Sequence, residues 1–411
     1  VEVEIRPVGP DEVESFIRVG NAAFLGCPTE EQVEEQRPQL PELSRTLGAF
    51  AGGRLVGTAG DFGLELTVPG GALVPMAGLS WVGVLPTHRR RGILTALVRR
   101  HLDGARERGE PLAGLEASEG GIYGRFGYGW ATFEATVELD RDRGRLPPGV
   151  LGDEGSIELV GEDEAGKVLP EVHDRARRQQ VGDVSAGPGY WVSTLRSSDR
   201  GHDGWGGKLF AVCTGRQGQV EGGAVYHVPP EGTFGRYAVH VDHLVAVSRG
   251  AYHSLWGFLA DLDLTGKVVA RHRPLGEPLR WMLTDPRQLQ VTGVGDHLWV
   301  RLVDLPAALA ARGYAAEGSV VLDVSDPACP WNEGRWLLEA GRSGASCRRA
   351  APGQETELAL DASTLGSLYL GGVSAASLAA AGRVGEAVPG AVARLAAMLA
   401  VDPPPWCSTG F

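Results

Sequence analysis

The segment Val82-Gly83-Val84-Leu85-Pro86-Thr87-His88-Arg89-Arg90-Arg91-Gly92-Ile93-Leu94 carries the strongest chemical signal in the chain. It reads as a strand, a basic turn and the start of a helix. The first N–H groups of a helix have no intrahelical acceptor and sit at the positive end of its dipole, so such an end holds an anion. Gly92 lets the backbone approach that anion closely. Arg89, Arg90 and Arg91 add charge beside the free donors, and a pyrophosphate fits the arrangement. The plainer reading is a solvated surface cluster. Three arginines and a glycine at a strand–helix junction in an acidic protein argue against it.

A second chemical group is the Gly-rich run from Ser118 to Gly129, which holds Tyr123 and Tyr128. A tyrosine, with an ordinary pKa of ~10, can act as a general acid. On chemistry alone either one serves. Other candidates fail on spacing. His240 and Asp242 share one strand face while His243 points away with Val241. No further ligands lie nearby in sequence, so no metal is expected. The glycines of 124–129 lead into a strand rather than a helix, which does not fit a dinucleotide fingerprint. A serine-centred nucleophile turn is absent.

The elements that must position these residues follow from hydrophobic period. Residues 1–8 alternate like a strand. Asp11 and Glu14 form a capping-box-like start to a helix reaching about Phe24. Residues 29–42, rich in Glu and Pro, read as a helix or loop with an acidic face. Strands are expected near 47–51, 54–66 and 71–84. Leu94, Leu97, Val98 and Leu102 recur at helical spacing, giving a helix over 91–109. A short strand at 111–117, the Gly-rich run, and one long strand at 130–139 complete a mixed α/β unit. Residues 140–148 look like a boundary. Beyond it, His243-Leu244-Val245-Ala246-Val247, then Ser248-Arg249-Gly250 and an apolar helix, faintly echo the first strand, loop and helix. The echo keeps one arginine, as if its phosphate site were lost. A third region holds strands near 297–303 and 319–324, then 358–360 leading into 365–370 and two Ala-rich helices. Its tail, Pro403-Pro404-Pro405-Trp406-Cys407-Ser408-Thr409-Gly410-Phe411, has the apolar weight to dock. The expected domains are therefore 1–145, 146–285 and 286–411.

Composition narrows the class. The 411 residues carry a net charge of −12, which disfavours nucleic acid as a partner and favours a small cationic one. Hydrophobic residues make up 43% and charged ones 22%, enough for buried cores. Five scattered cysteines with no CxxC pair suggest a reducing cytoplasm. No apolar run approaches ~18 residues, so no membrane association is expected.

The arginine loop resembles the coenzyme A loop of the GNAT acetyltransferases, Arg/Gln-x-x-Gly-x-Gly/Ala. Arg89-x-x-Gly92-x-Leu94 matches except at Leu94. The Gly-rich run 118–129, the echo at 243–259, Tyr369-Leu370-Gly371-Gly372-Val373, and the tail ending Pro405-Trp406-Cys407…Phe411 are more narrowly similar to the Eis (enhanced intracellular survival) family. That resemblance spans nearly the whole chain. It implies an α/β (mixed α+β) fold of two fused GNAT-like acyltransferase regions, the second inactive, plus a C-terminal domain like sterol carrier proteins. It also implies a homohexamer and an acetyl-CoA-dependent N-acetyltransferase acting on amines of aminoglycosides.

By the same resemblance Val82, Gly83 and Val84 hold the pantetheine arm. Arg90, Arg91, Gly92, Ile93, Leu94, Thr95, Ser118 and Glu119 complete the acetyl-CoA site. Tyr123 becomes the proton donor, Tyr128 a packing residue, and the α-carboxylate of Phe411 the proton acceptor. Phe24, Trp81 and the acidic stretch Glu30, Glu31, Glu34 and Glu35 would frame a pocket for a polycation, since aromatic faces attract ammonium groups. Acetylation of polyamines or protein lysines is the alternative of the same chemistry. A lipid- or sterol-binding protein is the alternative of another class.

Overall fold

The computed structural model describes residues 3–142, 144, 146–147, 155–196, 206–229, 232–341 and 344–411. Of the expected boundary at 140–148, Arg143, Arg145 and Pro148 lie outside the described residues, as do Val1 and Glu2 of the first strand.

The first part of the chain runs β1 (Val3–Pro7), α1 (Val13–Ala23), α2 (Glu30–Gln36), β2 (Thr46–Ala51), β3 (Arg54–Thr67), β4 (Leu73–Val84), α3 (Ile93–Glu107), β5 (Leu112–Glu116), β6 (Gly129–Trp130) and β7 (Phe133–Asp140). The start of α1 differs from the capping expected at Asp11 and Glu14. A turn at Pro10–Glu12 precedes it, and the Glu12 carboxylate accepts the Gly9 N–H at 2.8 Å and is held by Arg6. The run 29–42 resolves into α2, whose Thr29 and Gln32 cap each other. In α3 the periodic residues Leu97, Val98, Leu102 and Ala105 are buried.

The middle part holds β8 (Gly155–Val160), α4 (Glu162–Arg177), α5 (Pro188–Leu195), β9 (Lys208–Gly215), β10 (Val220–His227), β11 (Tyr237–Ala246), α6 (Arg249–Asp261), β12 (Thr265–Arg273), α7 (Leu279–Met282) and β13 (Leu289–Asp296). The last part holds β14 (Leu298–Leu302), α8 (Leu305–Ala311), β15 (Gly318–Ser325), β16 (Gly334–Gly341), β17 (Gly344–Arg349), β18 (Leu358–Asp361), α9 (Ala362–Tyr369), α10 (Ala375–Ala380), β19 (Val384–Glu386) and α11 (Ala391–Leu399).

Among the described residues three sheets result, in the orders β1-β2-β3-β4-β5-β14-β6, β13-β7-β12-β11-β10-β9-β8 and β17-β16-β15-β18-β19. The first two share one plan. Each is antiparallel except for a single parallel pair joined by a crossover helix: β4–α3–β5 in the first and β11–α6–β12 in the second. The echo in the sequence is thus a structural repeat.

The strands cross the boundaries drawn at 145/146 and 285/286. β7 pairs with β12 and β13 in the second sheet, and β14 pairs with β5 and β6 in the first. Each unit therefore gives a strand to the other. The chain passes between sheets at Ala131–Thr132 and back at His297. There the Ala131 and Thr132 N–H groups donate to the Leu298 carbonyl, and the His297 N–H donates to the Thr132 carbonyl. This crossing also breaks the long strand expected over 130–139 into β6 and β7.

One face of the first sheet packs on α3 through Leu97, Val98, Ala113 and Leu115. Its other face forms one core with the C-terminal unit, joining Leu66, Met76, Leu112 and Val300 to Leu322, Leu338, Tyr369 and Leu395. Close approach permits that contact. A Cβ at Gly366 of α9 would lie 2.2 Å from the Val300 carbonyl oxygen, a clash with backbone. Gly366→Ala should therefore lower stability by roughly 1–3 kcal/mol or more, the range for overpacking a dense interface. Gly121→Ala, where a Cβ meets nothing within 4 Å, should be near neutral. Thermal denaturation of the two variants checks this.

Candidate active site

β4 and β5 pair only at Met76–Leu112, Ala77–Ala113 and Gly78–Gly114. Beyond Gly78 they diverge. The stretch from Leu79 to Val84 keeps β3 on one side and presents an unpaired edge on the other. The β3–β4 register slips between Thr58 and Gly60, so a bulge falls at Trp81–Val82. Trp81 sits there at φ 53°, a rare conformation for a side chain of this size, and its carbonyl is held by the Thr58 hydroxyl at 2.8 Å.

The loop after β4 ends at Gly92, φ 78°, which precedes α3 without a side-chain cap. A side chain would strain that left-handed turn. The N–H groups of Ile93, Leu94 and Thr95 thus open outward as donors with no helical acceptor. Arg90 and Arg91 are exposed and make no ion pair among the described residues. Arg89 behaves differently. Its guanidinium donates to the Ala23 carbonyl at 2.9 Å, closing the end of α1 onto the loop. The arginine that opens the motif thus braces the site, while the next two supply free charge.

Tyr123 is 7% exposed, edge-on to Tyr128. Burial, with the nearby charge of Glu119, raises its pKa, so the phenol keeps its proton. Tyr128 is buried completely, its hydroxyl 3.0 Å from His101 Nε2. His101 in turn contacts Asp61, which Arg45 and Arg108 neutralise. This chain fixes α3 against β3 and accounts for Tyr128 without any contact to the cleft.

The tail docks. The Trp406 N–H donates to the Val181 carbonyl at 2.9 Å, and the Ser408 N–H and hydroxyl both donate to Asp183 at 2.9 and 2.8 Å. Gly410 lies against Glu116: a Cβ there would be 2.8 Å from its carboxylate. The Phe411 ring sits over Gly78, where the β4–β5 pairing stops. Two cavities meet at this point, and Trp81, Glu116 and Phe411 line both. One, of about 370 Å³, also touches Phe24, Val82, Ser118 and Tyr123. The other, of about 420 Å³, extends toward the second sheet, to Tyr190, Asp242, His272 and His297.

Most of the residues singled out in the sequence therefore converge. Val82, Gly83, Val84 and the loop through Thr95 flank the unpaired edge, and Phe24, Trp81, Ser118, Tyr123 and Phe411 line the cleft. Glu30, Glu31, Glu34 and Glu35 line neither cavity, and Glu34 and Glu35 are paired with Arg37 and Arg196. The side-chain carboxylates lining the cleft are Glu116, which the sequence analysis did not single out, and Asp242, which it weighed only as a metal ligand. Glu116 had a readable signal, since it ends the strand beside the crossover, where ligands of parallel strand pairs sit. Also missed was a cluster at the sheet crossing. Glu134, His272 and His297 bring one donor atom each within 4.8 Å of one another. Such a set suits a metal, though no metal was expected, and here the hydrogen bonds among its members already pair these atoms.

The groove of the second sheet is closed. β11 leaves β12 after Val241–Ala270, but the buried Arg273 fills the gap, donating to the Leu244 carbonyl at 3.2 Å and to Glu277 at 2.7 Å. The N-terminus of α6 is capped by Ser248, itself bonded to the Glu221 carboxylate, which would repel an anion. The phosphate site that the echo seemed to have lost is occupied by the protein's own groups.

The chain matches three family models: an acetyltransferase (GNAT) domain over residues 4–131, a second acetyltransferase (GNAT) domain over 187–302, and a sterol carrier protein domain over 305–408. It is 39% identical to an uncharacterised N-acetyltransferase of Streptomyces coelicolor over the whole of both chains. It is 38% identical to N-acetyltransferase Eis of Mycobacterium tuberculosis over 87% of this chain and 86% of that one. The solved structure of Eis1 of Mycobacterium abscessus superposes with a TM-score of 0.87 at 36% identity, covering 99% of this chain and 100% of that one.

The pH behaviour of the crossing cluster follows from its bonds. Burial works to raise the Glu134 pKa, but hydrogen bonds from His272 and His297 outweigh it and hold the carboxyl down to about 2. A depressed carboxyl stabilises the fold above its ordinary pKa and ceases to do so as pH falls through the folded value. The stability advantage of the parent over Glu134→Gln should thus be full at pH 5 and shrink as pH drops toward 2. Chemical denaturation across that range measures it.

Proposed function

Because the chain belongs to the Eis family of GNAT-fold N-acetyltransferases, we propose that its acceptor is a primary amine of a small polycation, an aminoglycoside or a similar amine. The enzyme is an N-acetyltransferase with acetyl-CoA as co-substrate. The groove of the first sheet fits that co-substrate. The edge of Val82, Gly83 and Val84 offers backbone groups to a pantetheine arm. Gly92, Ile93, Leu94 and Thr95 offer amides to a diphosphate, with Arg90 and Arg91 as counter-charge. Ser118 and Glu119 flank the reacting end. Acetyl-CoA supplies the acetyl group as a thioester, whose departing sulfur needs a proton.

The observation that carries the mechanism is that Tyr123 and Phe411 line one cavity beside Val82. As the amine nitrogen bonds to the acetyl carbon and the carbon–sulfur bond breaks, Tyr123 gives its proton to the sulfur. The α-carboxylate of Phe411 takes one from the nitrogen, directly or through water. Its ordinary pKa of ~3.5 keeps it ionised at neutral pH. The raised pKa of Tyr123 keeps the acid loaded. Glu116, Asp242 and the terminal residue bring carboxylates to the cleft beside Lys208 and His297, and Trp81 and Phe24 give it aromatic faces that can meet ammonium groups.

An acceptor screen read by thiol release tests the substrate class. Aminoglycosides should turn over with kcat/KM at least about tenfold above lysine peptides, a difference of ~1.4 kcal/mol in transition-state binding. Preference for peptides, with no competition by an aminoglycoside, would assign the enzyme to protein lysines instead. Two variants test the roles. Tyr123→Phe should lower kcat by roughly a hundredfold or more while leaving the acetyl-CoA KM in place. One residue added after Phe411 should do the same. Full activity of the extended chain would remove the terminal carboxylate from the mechanism.

A further inference from the structure

His297 occupies the point where the chain passes back from the second sheet to the first, and it is 5% exposed. Both ring nitrogens face acceptors. Nδ1 lies 2.8 Å from a Glu134 carboxylate oxygen, and Nε2 lies 2.9 Å from the carbonyl oxygen of Thr409. Neither partner can donate, so both nitrogens must carry protons, and the ring is an imidazolium. Glu116 approaches Nε2 at 3.3 Å and adds counter-charge from the end of β5.

The tail is held a second time, by the main chain beside that group. Glu134 also accepts from His272 Nδ1, and the His272 carbonyl accepts the indole N–H of Trp406 at 2.9 Å. Trp406 and Thr409 are thus fastened to one cluster, five and two residues before Phe411. Its members come from both sheets: Glu116 from β5, Glu134 from β7, His272 from β12, and His297 from between β13 and β14. Ser408, between the two grips, is held by Asp183.

We propose that the buried imidazolium of His297, tied through Glu134 to His272, is the positioning group that holds the last residues of the tail and so aims Phe411 into the cleft. This rests on the reading of the Phe411 carboxylate as proton acceptor. It also gives the second acetyltransferase-like unit, whose own groove is plugged, a part in the reaction of the first. That unit supplies His272 and the strand that Glu134 joins.

The titratable groups facing His297 are Glu134, Glu116, His272 and Cys407. Burial alone would lower its pKa, but hydrogen bonds with Cys407, Glu116 and Glu134 hold it well above the ordinary value. A raised pKa means that the clamp is intact at neutral pH and released as pH climbs through the folded value.

Release of Phe411 by a carboxypeptidase, on folded full-length protein, reads the clamp without reference to catalysis. His297→Ala should speed that release about tenfold or more, the scale of a lost charged hydrogen bond. Its kcat should fall with the acetyl-CoA KM unchanged. Its alkaline loss of activity should move to lower pH or vanish, and added imidazole should restore part of both rate and protection. Glu134→Gln, which removes the carboxylate held by His297 Nδ1, serves if His297→Ala does not fold, and should speed release in the same direction. Parental rates of release in the folded variants would overturn the proposal. Faster release with unchanged kcat would uphold the clamp and instead remove the Phe411 carboxylate as base.

Discussion

Pairing between β4 and β5 stops at Gly78 and Gly114, and the residues we propose for cofactor binding and catalysis are arranged around the wedge that this opens. A sheet strand with one free edge is costly to bury unless something pairs it. Here the free edge runs from Leu79 to Val84 and leads straight into the loop that starts α3. One discontinuity therefore places unpaired strand amides, unpaired helix amides and two free arginines along one line. The Phe411 ring sits at the apex, over Gly78, and Tyr123 stands across from it.

The second sheet shows what the same wedge becomes when filled. Arg273 donates to the Leu244 carbonyl where the strand edge would otherwise be open, and Glu221 with Ser248 covers the helix start. Burial works to push the Glu277 carboxyl up and the Arg273 guanidinium down, a sign of how dry that plug is. The two units also exchange strands, β7 for β14, so neither sheet is complete alone. That exchange brings Glu134 and His297 to the crossing beside the tail and lets second-sheet residues such as Asp242 form a wall of the first unit's cleft.

Much of this was legible in the sequence because it depends on local rules. The strand–loop–helix from Val82 to Leu102 announces itself by hydrophobic period, glycine and charge, and the observed β4 and α3 follow it. Tyr123 and Tyr128 could be found but not told apart by chemistry. Their burial and partners distinguish them, with His101 holding Tyr128 and open space beside Tyr123. What escaped is non-local. The break between β6 and β7 arises because the chain changes sheets at Thr132, which no pattern within 130–139 encodes. Glu116, Glu134, His272 and His297 come from four segments and meet only through the strand exchange. Glutamates on α2 looked by composition like a pocket for a cation, but helix geometry turns two of them toward arginines.

Calorimetric titration of the purified protein with coenzyme A tests the wedge most directly. One site per chain is expected, weakening as salt rises. Affinity should fall roughly tenfold when Arg90→Ala and Arg91→Ala are combined, since each exposed ion pair with a phosphate is worth up to about 1 kcal/mol. Pantetheine without its phosphates should bind more weakly but retain some affinity through the β4 edge. No heat of binding with coenzyme A, or binding indifferent to both arginines and to salt, would contradict the account.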